Sequence, residues 1–170
     1  AGSGRGSKDA VPRIYTMSRV HAILSKRSWS VVQLSEIIDD VVRSEQPDRA
    51  DALQLTGEKD IQVEPSRCQA LAMTLHEMAV NARQHGAWSV PQGHIRIDVS
   101  RTDEALTIDW IEAGLSEIAP PSGQGMGLTL VSGFVEHDLH GRVEKSFDPP
   151  GFRATIVLPL VQASFKGGWE

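Results

Sequence analysis

The chain has 170 residues, 40% hydrophobic and 23% charged, which suits one ordinary soluble domain with a real core. Its formal net charge of −5 argues against a nucleic-acid or polyanion surface. The single cysteine, Cys68, excludes an internal disulfide and suits a reducing cytoplasmic setting, and no apolar run reaches membrane-spanning length.

Residues 1–10 open with Ala-Gly-Ser-Gly-Arg-Gly-Ser, whose composition reads as a disordered linker or scar. Residues 11–27 carry Ile14, Met17, Val20, Ile23 and Leu24 at helical spacing, so a helix is expected over Val11–Lys26. His21 lies on it with no acid or base beside it, and a structural role suits it better than chemistry. Residues 28–160 form the main domain and 161–170 a loose tail. Ser28–Glu45 is expected as one helix, with Ser30 a candidate cap and Val31, Leu34, Ile37, Ile38, Val41 and Val42 on its apolar face. Ala52–Thr56 and Ile61–Val63 read as short strands around a turn at Gly57.

A helix from Pro65 to His85 comes next, with Ser66 as candidate cap and Gly86 as its stop. Leu71, Leu75, Met78, Ala79 and Ala82 give it a buried stripe. Glu77 and Asn81 stand one above the other on a single face, and Gln84 and His85 continue it. A carboxylate and a carboxamide stacked beside a core stripe suit a hard cation such as Mg²⁺. The plainer reading is an amphipathic helix with a solvated polar side.

Ile95, Ile97 and Val99 alternate with polar residues, as do Leu106, Ile108 and Trp110, so both segments read as strands with one face buried. Residues 113–124, broken by prolines and glycines, read as a mobile lid. Gly127–His140 is the last expected helix, ended by Gly141, and strands over 142–147 and 152–158 close the chain around Asp148-Pro-Pro-Gly151. Helices lie between antiparallel-looking strand pairs. The expected fold class is therefore α/β, a two-layer sandwich with a mixed, mostly antiparallel sheet and helices on one face.

Three stretches in order carry a resemblance: Leu75–Gly86 with Glu77 and Asn81, then Asp109-Trp-Ile-Glu-Ala-Gly114, then Gly123-Gln-Gly-Met-Gly-Leu-Thr-Leu-Val131. They resemble the N, G1 and G2 boxes of the GHKL ATPase superfamily. Within it, His76-Glu77 and Trp110-Ile-Glu112 resemble the HWE subfamily of sensor histidine kinases, over about Arg13 to Leu160. The resemblance implies the Bergerat fold, with the first helix as the second helix of a dimerisation hairpin.

It also implies the ATP-binding catalytic domain of a two-component system. That domain passes the γ-phosphoryl of ATP–Mg²⁺ to a histidine on an earlier helix, for relay to a response regulator receiver domain. A homodimer is implied for the full-length protein, with no nucleic-acid partner and no membrane segment here.

By residue, the resemblance makes Glu77 the general base with His76 as its neighbour and Asn81 the metal ligand. Gly123, Gly125, Gly127 and Leu128 take the phosphates, because glycines let backbone N–H groups approach. Arg83 or His85 replaces the phosphate contact of a basic residue that is Gln84 here. Glu112 accepts from the adenine amino group, and Gly114 leaves room for the base. Further departures are Leu115-Ser116 after Gly114, His85 for a tyrosine, and Phe152 after Gly151. Alternatives are an anti-sigma-factor type serine kinase of the same superfamily and a non-catalytic phosphotransfer scaffold.

Overall fold

The computed structural model describes residues 5–115 and 126–160. In chain order the elements are α1 (Arg5–Lys26), β1 (Val32–Gln33), α2 (Leu34–Glu45), β2 (Leu53–Gly57), β3 (Gln62–Val63), α3 (Pro65–Gln84), β4 (His94–Arg101), β5 (Ala105–Ala113), α4 (Met126–Gly133), β6 (Arg142–Asp148) and β7 (Gly151–Pro159). The main sheet has five strands in the order β2-β4-β5-β7-β6. Only β2 and β4 pair in parallel, and α3 makes the crossover between them. This is the expected mixed sheet with helices layered on it.

The layer between sheet and helices is the core. On β5, Leu106, Ile108, Trp110 and Glu112 point inward, while Thr107, Asp109 and Ile111 point to the half-exposed outer face. Trp110 stands opposite Ile97 on β4 and Ala154 on β7, so a small neighbour makes room for the indole. Across the layer α3 presents Cys68, Leu71, Leu75, Met78, Ala79 and Ala82, all buried. Each large apolar side chain enclosed here stabilises the domain by about 1.5–3 kcal/mol. The outer face is polar: Thr155 and Arg153 both donate to Asp109.

α3 matches its expected span to within a residue. Pro65 stands at its start, where its missing N–H costs nothing. Glu64, not Ser66, occupies the cap position, without a side-chain cap bond. Two other helices differ from expectation. The α1 backbone is helical from Arg5, so residues 5–10 of the expected linker belong to the helix, and residues 1–4 lie outside the described residues. α2 begins at Leu34, not Ser28, because Ser28 and Trp29 take left-handed φ values of 51° and 59° and Val32–Gln33 pair with β3. The last helix ends its α-helical part at Gly133. It then widens into a π turn over Phe134–Asp138, and His140 turns the chain out with φ 54°. The expected lid over 113–124 falls mostly, and the tail from 161 wholly, outside the described residues.

α1 packs along α3 through Thr16, Val20 and Leu24. Arg19 holds it to α2 by a two-pronged bond to Asp40, at 3.0 Å and 2.8 Å. Among the described residues no helix is long and apolar enough to cross a membrane.

Candidate functional site

From Leu71 to Ala79, α3 is buried on every side, so its polar residues must find partners inside the protein. Thr74 bonds back to the carbonyl of Ala70 at 2.8 Å. His76 and Glu77 are 2% and 3% exposed, and both are met from outside the helix. Arg13 on α1 grips the Glu77 carboxylate with Nε on Oε1 at 2.5 Å and Nη2 on Oε2 at 3.0 Å. His76 turns to the other helices, with Nδ1 3.2 Å from Thr16 Oγ1 and 3.1 Å from Glu45 Oε1. His76 therefore joins α1, α2 and α3 and bonds to Thr16 and Glu45, not Glu77.

One turn beyond Glu77, Asn81 has its amide nitrogen buried without a hydrogen-bond partner among the described residues. A buried donor left unpaired costs about 1–3 kcal/mol. Both side chains face the start of α4. A Cβ added to Gly127 would lie 3.1 Å from Asn81 Nδ2 and 3.1 Å from Glu77 Oε2. The first turn of α4 thus lies close to the Glu77–Asn81 pair, and a side chain at 127 would fit only if those neighbours gave by a few tenths of an ångström. Leu128, next in line, is half-buried against the core. Lys145 ties this end of α4 to β6, donating to the Leu128 carbonyl at 3.0 Å and to Ser132 Oγ at 2.7 Å. Its pKa is lowered by burial, with Glu136 pulling the other way. Gly123 and Gly125 lie outside the described residues.

A second cluster sits where α3 ends. Glu112 is 2% exposed. Its Oε2 accepts from the Ala87 N–H at 2.7 Å and its Oε1 from the Trp110 indole N–H at 2.9 Å. Burial pushes its carboxyl above the ordinary carboxylate range, and these two donors pull it back. A Cβ on Gly86 would overlap Glu112 Oε2, and one on Gly151 would overlap the Glu112 carbonyl. Gly114 has φ +91° and faces the Gln92 carbonyl, so a side chain there would be both strained and obstructed. Arg49 fixes the loop behind it, donating to the carbonyls of Val90 at 2.7 Å, Pro91 at 2.7 Å and Gly93 at 2.5 Å.

The fold therefore brings Glu77, Asn81 and Gly127 together, and sets Glu112 and Gly114 around the last turn of the same helix. Arg83 and His85 are exposed, and Arg83 lies 3.6 Å from Glu45. Phe152 is core, stacked at 4.9 Å on Phe147. Sequence reasoning missed Arg13, Glu45, Arg49 and Ala87, which reach their partners across long separations. The only local hint was that Trp110 and Glu112 share a strand face. Among the described residues no cluster of His, Cys, Asp and Glu could hold a metal by itself, so a cation here would need ligand oxygens as well as protein.

A family model described as HWE histidine kinase matches residues 6–59. A blue-light-activated histidine kinase of Rhizobium johnstonii is 32% identical over 149 residues, covering 86% of this chain and 42% of that protein. The chain thus spans under half the length of this curated relative. Among solved structures, a blue-light activated histidine kinase of Erythrobacter litoralis is similar with a TM-score of 0.71 at 16% identity, covering 91% of this chain and 55% of that one. The catalytic domain of histidine kinase ThkA is similar with a TM-score of 0.59 at 18% identity, covering 76% of this chain and 95% of that one.

Proposed function

We propose, from the premise that this chain belongs to the HWE histidine kinase family, that it is the ATP-binding catalytic domain of a sensor histidine kinase. In this reading it transfers the γ-phosphoryl of ATP to a histidine beyond these 170 residues, for relay to a response regulator. The observation that carries the reading is the contact between Gly127 and the Glu77–Asn81 pair. It places a helix start against a carboxylate and an amide with an unpaired buried nitrogen.

Each part then has a role. The first turn of α4 offers unpaired backbone N–H groups to the phosphates. Asn81 is the residue that would hold Mg²⁺ through its side-chain oxygen, while its amide nitrogen, buried without a hydrogen-bond partner among the described residues, has a donor to offer a phosphate oxygen. Mg²⁺, when bound, neutralises charge on the phosphate oxygens. Glu77 takes the proton of the attacking nucleophile. Glu112 has an acceptor position to spare: a carboxylate offers about four, and the protein uses two. It can therefore accept from the exocyclic amino group of adenine, with Gly114 placing no side chain beside it. His76 positions α3 between α1 and α2 and takes no part in the chemistry.

Calorimetric titration of the chain with ATP, with and without Mg²⁺, tests the reading. Saturable binding that tightens with Mg²⁺ and is lost on competition with ADP is the expected result. A flat titration at millimolar ATP overturns it.

A further inference from the structure

The grip of Arg13 on Glu77 has no place in the phosphoryl-transfer chemistry above. A general base must present a lone pair to its nucleophile within hydrogen-bond reach. Here Glu77 is enclosed. Arg13 takes one hydrogen-bonding position on each oxygen, the start of α4 lies near Oε2, and the side chain is only 4% exposed. Arg13 comes from α1, which is also held to this region by the buried Val20 and Leu24, by Thr16 beside His76 and by Arg19 on Asp40. The side chain of Arg13 is 23% exposed, so its way out from Glu77 leads toward solvent.

We propose that Arg13 is a latch. While α1 lies as it does here, Arg13 bars the nucleophile from Glu77, and a shift of α1 that withdraws the guanidinium makes the carboxylate available. This rests on the nucleotide reading above and adds its regulation: the position of the arm helix gates the base. The latch should act on any nucleophile, water included. In that slow reaction the water oxygen bonds to the γ-phosphorus as the bond to the bridging oxygen breaks. ADP leaves with the electron pair, and the water proton passes to Glu77 and on to solvent.

The test compares the 170-residue chain with Arg13→Gln, Arg13→Ala and Arg13→Lys, each checked for a native circular-dichroism spectrum and melting curve. Two readouts are taken. The first is labelling of Glu77 by a water-soluble carbodiimide and an amine, followed by mass spectrometry without nucleotide. Glu77 should be protected in the parent, labelled about tenfold faster in Arg13→Gln and Arg13→Ala, and intermediate in Arg13→Lys. The second is steady-state ATP hydrolysis, where kcat should rise about fivefold or more with KM within about twofold of the parent.

Unchanged labelling overturns the latch whether or not ATP binds. Faster labelling with kcat unchanged or lowered overturns it as a gate on the base. Faster labelling with no ATP binding by any form keeps Arg13 as the cover of Glu77 and overturns the nucleotide reading instead. If Arg13→Ala does not fold, Arg13→Gln and Arg13→Lys carry the same outcomes.

Discussion

Replacing Glu112 by alanine should loosen the joint between the end of α3 and the centre of the sheet. The carboxylate receives the Ala87 N–H and the Trp110 indole N–H, and both donors sit on residues that are 0% exposed. Each would be left buried without a partner, at about 1–3 kcal/mol apiece. Part of the resulting 2–6 kcal/mol, roughly a third, returns because a buried carboxylate is no longer held out of water. A net loss of about 1–4 kcal/mol is expected, a sizeable share of the roughly 5–15 kcal/mol that holds a domain together.

The pH dependence has a definite sign. Burial raises the folded-state pKa of Glu112 above its ordinary value of 4.5, so the folded chain binds its proton more tightly than the unfolded chain. The stability from this group is fully present below that ordinary value. It is lost as pH rises through the raised folded value, at no more than about 1.4 kcal/mol per pH unit. Glu112→Gln, which cannot ionise, lacks this part of the profile. Urea unfolding followed by circular dichroism, for parent, Glu112→Ala and Glu112→Gln from pH 4 to 8 (a range chosen around the ordinary carboxylate value, roughly), measures both effects. A Glu112→Ala loss within about 0.5 kcal/mol of zero, or identical pH profiles for parent and Glu112→Gln, would refute the reasoning.

Asn81→Ala should leave the fold intact, because the amide nitrogen it removes has no partner among the described residues, and should sharply weaken ATP binding in Mg²⁺; equal affinity by calorimetry would sink the metal assignment. Glu112→Ala should weaken ATP binding roughly 10- to 150-fold, the equivalent of one charge-assisted hydrogen bond, and GTP binding much less, because guanine presents a carbonyl at that edge. Equal losses in paired competition titrations would leave Glu112 with its bracing role alone. The chain should not label itself with γ-labelled ATP. His21 stands edge-on to Trp29 at 5.1 Å with no acid or base bonded to it among the described residues, and acid-labile label on His21 would contradict that.

The parts of this molecule written in local spacing were legible in the sequence. Glu77 and Asn81 share a face because the helix turn puts them there, and Pro65 marks the start of α3. The alternation of Leu106, Ile108 and Trp110 likewise gave the inner face of β5. What was not legible depends on chain segments far apart. Nothing near Glu77 announces Arg13, which arrives from 64 residues away. Ser28 and Trp29 do not look like residues that adopt left-handed φ. They do so where the Trp29 N–H bonds to the Leu24 carbonyl at 2.8 Å and its ring meets His21. The π turn at Phe134–Asp138 keeps an apolar pattern that a normal helix would share, so periodicity could not see it. The family resemblance makes Glu112 a ligand contact; that it also braces Ala87 is visible only in the packed structure.

The claim at the centre is that one face of α3, the start of α4 and the Gly114 turn form a single nucleotide site. Amide chemical-shift mapping of the isotope-labelled chain with a non-hydrolysable ATP analogue and Mg²⁺ tests it most directly. Perturbations concentrated at Glu77, Asn81, Gly86, Ala87, Glu112, Gly114, Gly127 and Leu128, and saturating together, are the predicted result. Perturbations that saturate elsewhere, with these residues unmoved, would contradict it.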